Sequence, residues 1–96
     1  MIVVEGTIRV KDLALARSAM RDMIEASRSE AGCVSYSYAV DLIESDLVHV
    51  SERWESREAL AAHLKTAHIA TWRAQWPAIG ISNRSLRSYE AEPEAF

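Results

Sequence analysis

The sequence has few of the residues that small domains use as staples or as ready-made binding loops. It holds one cysteine, Cys33, so no disulfide can close within the chain, and a reducing compartment, the cytoplasm, is expected. Its three glycines are too few and too scattered for a G-x-G-x-x-G or phosphate-cradling loop. No Cys/His cluster has the spacing of a zinc site, so no resident metal is expected. Basic residues are not in excess. The net charge is −3 and the arginines are dispersed, which argues against a general nucleic-acid binder with its basic stripe. No apolar run is long enough to cross a bilayer, and Met1-Ile2-Val3-Val4-Glu5 lacks the basic region of a signal peptide. Repeats and low-complexity linkers are missing as well.

What remains is an ordinary globular composition, 49% hydrophobic and 26% charged, over 96 residues. That predicts a single domain spanning 1–96, with an acidic tail from about 90. A chain of this size buries only roughly 60–65% of its unfolded surface. With disulfide and metal set aside, a second copy of the chain is the expected source of additional burial.

Hydrophobic periodicity sets out the elements. Ile2, Val4, Ile8 and Val10 share one parity of a strand over 2–10. Asp12 can cap a helix over about 13–30, whose stripe is Leu13, Ala16, Met20, Met23, Ile24 and Ser27. Gly32 is placed to stop it in a left-handed cap. A second strand covers 33–41, with Val34, Tyr36, Tyr38 and Val40 on one side and Cys33, Ser35, Ser37 and Ala39 on the other. Glu44-Ser45-Asp46 reads as a hairpin turn. The chain returns over 47–54 with Val48, Val50, Glu52 and Trp54 on one parity. Ser56 is a good N-cap for the next helix, and Thr66 can start another after a break. Ile69, Trp72 and Trp76 share a face, Pro77 is expected to end that run, and 81–90 forms a weaker strand.

Strand, helix, strand, strand, helix, strand is an α+β order, the ferredoxin-like split βαβ arrangement with a four-stranded antiparallel sheet. Right-handed crossovers put the helices on one face. The other face, a mixture of apolar and small residues, is expected to meet a partner, so a homodimer packed sheet to sheet follows.

Candidate chemistry concentrates in Glu52–His68. His63 falls on the buried stripe with Leu60, Leu64 and Ala67. It is either a hydrogen-bonded core histidine or one facing a pocket between helix and sheet, where an imidazole exchanges protons near neutrality. On one unbroken helix His68 would lie about 140° away, so the pair meets only if the helix breaks at Thr66. Glu52 shares its parity with valines and a tryptophan. If buried it needs a partner, with Arg53, His63 or an arginine of the last strand as candidates. No nucleophile triad is visible, which leaves proton transfer as the chemistry the stretch offers alone.

The segments Glu30-Ala31-Gly32-Cys33, Tyr36, Glu52-x-Trp54-Glu55-Ser56 and Leu60-x-Ala62-His63-Leu64-x-Thr66-x-His68 resemble the antibiotic biosynthesis monooxygenase family, in particular its small bacterial quinol monooxygenases. The resemblance implies a dimeric α+β barrel made from two such protomers, with a pocket between sheet and helices in each. It implies oxidation of a small phenolic or quinol substrate by molecular oxygen without metal, flavin or haem. His63, His68 and Glu52 would then be the proton-handling residues, and Trp54, Tyr36, Trp72 and Leu60 would contact substrate. Two other classes compete: an isomerase or lyase of a small polar metabolite using the same histidines, with Arg84 in the pocket, and a non-catalytic dimeric binding or stress module.

Overall fold

The computed structural model describes residues 1–96. The elements are β1 (Ile2–Val10), α1 (Leu13–Arg28), β2 (Cys33–Val40), β3 (Leu47–Trp54), α2 (Arg57–His63), α3 (Ala67–Ala74), α4 (Trp76–Ile79) and β4 (Ile81–Glu90). All strand pairs are antiparallel, in the order β2-β3-β1-β4. This is the ferredoxin-like α+β fold. No helix is long and apolar enough to cross a membrane.

Alternation decides which face is core. Ile2, Val4, Ile8 and Val10 of β1 and Val48, Val50, Glu52 and Trp54 of β3 are all buried. Beneath them lie Ala16, Met20 and Met23 of α1, Ile69 and Trp72 of α3 and Ile79 of α4. The helices thus cover one face only. The opposite face presents Glu5, Ser51, Arg53, Ser85, Arg87 and Tyr89 to solvent.

Local chemistry fixes the helix starts. Oδ1 of Asp12 accepts from the Leu15 amide at 3.1 Å, Oγ of Ser56 from the Ala59 amide at 3.1 Å and Oγ1 of Thr66 from the Ile69 amide at 3.4 Å. Each satisfies an amide that the first helical turn leaves without a partner.

Three expectations need correction. First, α1 stops at Arg28 with Ser29 as its cap, so Gly32 does not end the helix. With φ at +82°, Gly32 instead turns the chain into β2, where an added Cβ would meet that of Ala59 at 2.6 Å. Second, β2 carries a bulge between Cys33 and Ser35, so Cys33 pairs with Trp54 and Tyr36 with Glu52. Cys33 therefore packs on the core side, while Val34 is 48% exposed. Third, Pro77 does not end the helical run. It sits in the first turn of α4, where its missing N–H is no loss, and Gly80 in the left-handed conformation stops that helix.

Candidate functional site

Three elements converge on one carboxylate oxygen. Oε2 of Glu30, in the turn after α1, is 2.6 Å from Nδ1 of His63 at the end of α2. The same atom is 2.8 Å from Nε2 of His68 in the first turn of α3. The break between α2 and α3 makes this convergence possible. Thr66 both caps α3 and donates its hydroxyl to the carbonyl of His63 at 2.8 Å, which fixes the angle between the two short helices.

A carboxylate has only acceptors to offer, so each ring nitrogen facing it carries the proton. For His63 this selects the tautomer protonated at Nδ1 and leaves Nε2 with a free lone pair. That nitrogen makes no hydrogen bond to the protein, and His63 lines a cavity that Glu30 does not. The His63 side chain is 3% exposed, that of Glu30 13% and that of His68 25%. The ring of His63 is held by Trp54, 4.6 Å between centroids, and by the edge of Tyr36 at 5.3 Å.

The cavity beside His63 lies between the sheet and α3–α4. Tyr36, Tyr38, Glu52, Trp72, Trp76 and Leu86 form its walls, and the exposed Leu64, Arg73 and Arg84 its rim. Its volume is about 30 Å³, the share of liquid volume of roughly one water molecule. Burial pushes the Tyr36 and Tyr38 hydroxyls above the ordinary tyrosine range, so both enter chemistry as neutral phenols. Burial likewise raises the Glu52 carboxyl, against the Trp54 hydrogen bond and the charges of His63 and Arg84. One buried polar atom in the chain has no partner, Nε1 of Trp76, and Trp76 is a wall of this cavity. An N–H left unpaired and closed to solvent is costly, and it can donate to an oxygen only where the cavity opens toward it.

A second, larger cavity of about 350 Å³ lies between α1 and α3. Ser18, Asp22, His68, Thr71, Trp72 and Gln75 are among its walls. Its only histidine is His68, so the two imidazoles bonded to Glu30 border different cavities.

The structure brings His63 and His68 together, and Tyr36 and Trp72 reach the smaller cavity. Trp54 and Leu60 do not. Trp54 is fully buried behind His63, and Leu60 packs on the core, because the strand end and first helical turn lie beneath the cavity floor. Glu52 is 4% exposed. Its hydrogen-bond partner is none of the candidates taken from the sequence, although two of them, His63 and Arg84, act on it through charge. Oε1 accepts from Nε1 of Trp54 at 2.9 Å, while Arg53 belongs to the opposite face of the sheet. Sequence reasoning missed Glu30 as a site residue. It takes residue 30 as the last of α1, whereas that helix ends at Arg28. The available signal is that two buried-side histidines need an acceptor, and the motif around Gly32 supplies one acidic side chain. Glu30, His63 and His68 also form the chain's one grouping able to ligate a metal, with donor atoms all within 4.8 Å of one another.

Comparison with known proteins agrees with this architecture. The sequence profile of the family described as "Antibiotic biosynthesis monooxygenase" matches residues 1–75. A Synechocystis sp. protein described as uncharacterized is 33% identical over 95 residues, which cover 93% of this chain and 62% of that protein. The chain thus spans less than two thirds of that relative. A Deinococcus radiodurans structure, provisionally assigned as an antibiotic biosynthesis monooxygenase, superposes with a TM-score of 0.89 at 21% identity, covering 100% of this chain and 97% of the other. A Bacteroides thetaiotaomicron protein of unknown function, described as a possible oxidoreductase, gives 0.79 at 26% identity over 94% and 96% of the two chains.

Proposed function

The chain belongs to the antibiotic biosynthesis monooxygenase family, and from that premise we propose that it oxidises a small phenolic or quinol substrate with molecular oxygen, using its own side chains for proton transfer. The observation that carries this reading is the Glu30–His63 hydrogen bond, which leaves Nε2 of His63 as a free base at a cavity walled by aromatic rings.

The steps follow from that geometry. Nε2 of His63 takes the phenolic proton, and Glu30 stabilises the imidazolium formed. The electron-rich anion passes one electron to oxygen, and the resulting radical pair combines into a carbon–oxygen bond. Loss of water from the hydroperoxide leaves one oxygen atom in the product and sends the other out as water, all electrons coming from the substrate. The N–H of Trp76 offers a hydrogen bond to a substrate oxygen. Glu52, tied to Trp54, walls the same cavity as His63. His68 carries the second hydrogen bond to Glu30 and so helps orient the relay.

A phenolic ring is larger than the 30 Å³ cavity. Entry therefore requires the rim side chains Leu64, Arg73 and Arg84 to swing outward. The uncovered sheet face supports a homodimer as the working form, which light scattering on the purified chain would test. Hydroquinones and naphthohydroquinones in an oxygen electrode test the reaction. Uptake is expected with the native chain, and His63→Gln should lower it by about 10²-fold or more. Turnover undiminished in that variant would remove His63 from the mechanism.

Arg84 at the rim favours one second reading, an isomerase or lyase acting on a small anionic metabolite. Turnover that continues in the absence of oxygen would select it.

A further inference from the structure

We propose that Glu30, His63 and His68 form a binding site for one divalent transition-metal ion, taken up in exchange for the protons these side chains share. The proposal rests on ligand geometry alone and needs no assumption about which substrate is oxidised.

The donor set is two imidazole nitrogens and one carboxylate oxygen, a combination that suits first-row ions such as zinc, cobalt or iron and not magnesium or calcium. The three donors come from three separate pieces of backbone: the turn after α1, the end of α2 and the start of α3. That their side chains meet at one atom is not a by-product of helical spacing. Metal–nitrogen and metal–oxygen bonds of about 2.0–2.2 Å put neighbouring donors roughly 3 Å apart when they meet at right angles. Two of the three separations here are already 2.6 and 2.8 Å. Those two need open only slightly, and the two ring nitrogens must draw closer, from within 4.8 Å. His68 has room for that movement, since it is a quarter exposed in the first turn of a short helix.

The surroundings fit the same purpose. His63 is packed against Trp54 and Tyr36, so one ligand is held in orientation before the ion arrives. The carbonyl of His63 is tied to Thr66. The groove of about 350 Å³ between α1 and α3 reaches His68 and gives the ion a way in and room for water on its open positions. An ion bound here would occupy the lone pairs that the shared protons now use, so metal uptake and proton relay through Glu30 exclude one another.

The test uses the purified, chelator-treated chain with Co²⁺ and Zn²⁺ as probes. One equivalent of Co²⁺ should produce visible d–d absorption, and Zn²⁺ should displace it. Zn²⁺ should also raise the melting temperature. Glu30→Gln and His68→Ala should weaken binding by more than the roughly 10–100-fold that loss of an outer-shell partner costs. His49→Ala, the remaining histidine, lies on the opposite sheet face beside Asp41 and should bind as the native chain does. Circular dichroism establishes that each variant is folded before titration. Equal binding by the native chain and His68→Ala, or loss of binding in His49→Ala, would overturn the proposal.

Discussion

Nδ1 of His63 and Oε2 of Glu30 are 2.6 Å apart although the residues are 33 positions apart in sequence. The contact sets the tautomer of a nearly buried imidazole and turns its other nitrogen toward chemistry. It also joins the turn before β2 to the end of α2, so it carries fold and function together.

Glu30→Gln tests both. The amide oxygen can take the place of Oε2 and accept from both imidazoles, but neither bond is then charge-assisted. Loss of a partly buried, charge-assisted hydrogen bond should cost about 1–3 kcal/mol in urea denaturation. Oxygen uptake should fall with it. Unchanged stability would mean that the imidazoles find another acceptor.

Glu52→Gln should behave in the opposite sense. Burial raises the Glu52 carboxyl above its ordinary value, which means that ionising it in the folded chain is unfavourable. Between the ordinary pKa of 4.5 and the raised one, the unfolded chain ionises first, and native stability falls as pH rises. Glutamine keeps an acceptor for Nε1 of Trp54 without a charge. The variant should therefore match the native protein below pH 4.5 and exceed it at neutral pH, as thermal melts across pH would record. A variant less stable at pH 7 would show that Glu52 is stabilising as an anion.

These two carboxylates also show what a sequence can and cannot disclose. The valines and tryptophan around Glu52 mark it as facing the core, since alternation along a strand is a local property. Its partner was not legible, because Trp54 lies two residues along on the same face and indole is an easily overlooked donor. The element order and the burial of His63 follow from spacing, although Leu64 and Ala67, expected on the same buried stripe, are exposed. Glu30 does not, because α1 ends two residues before it with Ser29 as cap, and its histidine partners lie more than thirty positions away in sequence. The bulge that brings Cys33 to the core side has no mark in composition either. A one-residue slip reverses every side chain before it, and nothing in Cys33-Val34-Ser35 announces that slip.

Asp41 gives a prediction at acid pH. Its carboxylate accepts from the amides of Glu44 at 2.8 Å and Ile43 at 3.0 Å, and from Nε2 of His49 at 2.8 Å. These bonds, with that to the Glu44 amide foremost, hold its pKa down at about 2 instead of 3.8. A depressed carboxylate contributes stability that is whole above the ordinary pKa and disappears as pH falls through the depressed one. Asp41→Asn should therefore be less stable than the native chain at pH 6, and the gap should close between about pH 4 and 2. A gap that persists at pH 2 would assign the loss to packing.

Trp76→Phe separates ligand binding from stability. The indole N–H has no acceptor, and an unsatisfied buried donor is expected to cost about 1–3 kcal/mol. Phenylalanine removes it while preserving a flat apolar wall, at the expense of some packing volume. The variant should fold at least as stably as the native chain. Its KM for an oxygen-bearing substrate should rise by about tenfold if the N–H binds that oxygen. A lower stability with unchanged KM would mean that Trp76 is a packing residue only.

Thr66→Ala bears on how two histidines five positions apart come to share one carboxylate. On a continuous helix their side chains would diverge by about 140°. Thr66 prevents that continuity: its backbone is extended, its oxygen accepts from the Ile69 amide, and its hydroxyl donates to the carbonyl of His63. Alanine removes both bonds and favours helix through the junction. Loss of the cap should cost about 1 kcal/mol. The larger effect should fall on geometry, because as α2 and α3 straighten, His68 rotates away from Glu30 while His63, packed under Trp54, stays. Oxygen uptake and Co²⁺ affinity should then respond differently. Uptake needs chiefly the Glu30–His63 pair and should fall little, whereas the metal needs all three ligands and should fall sharply. Equal losses in both would mean that the two histidines act as one unit in catalysis as well.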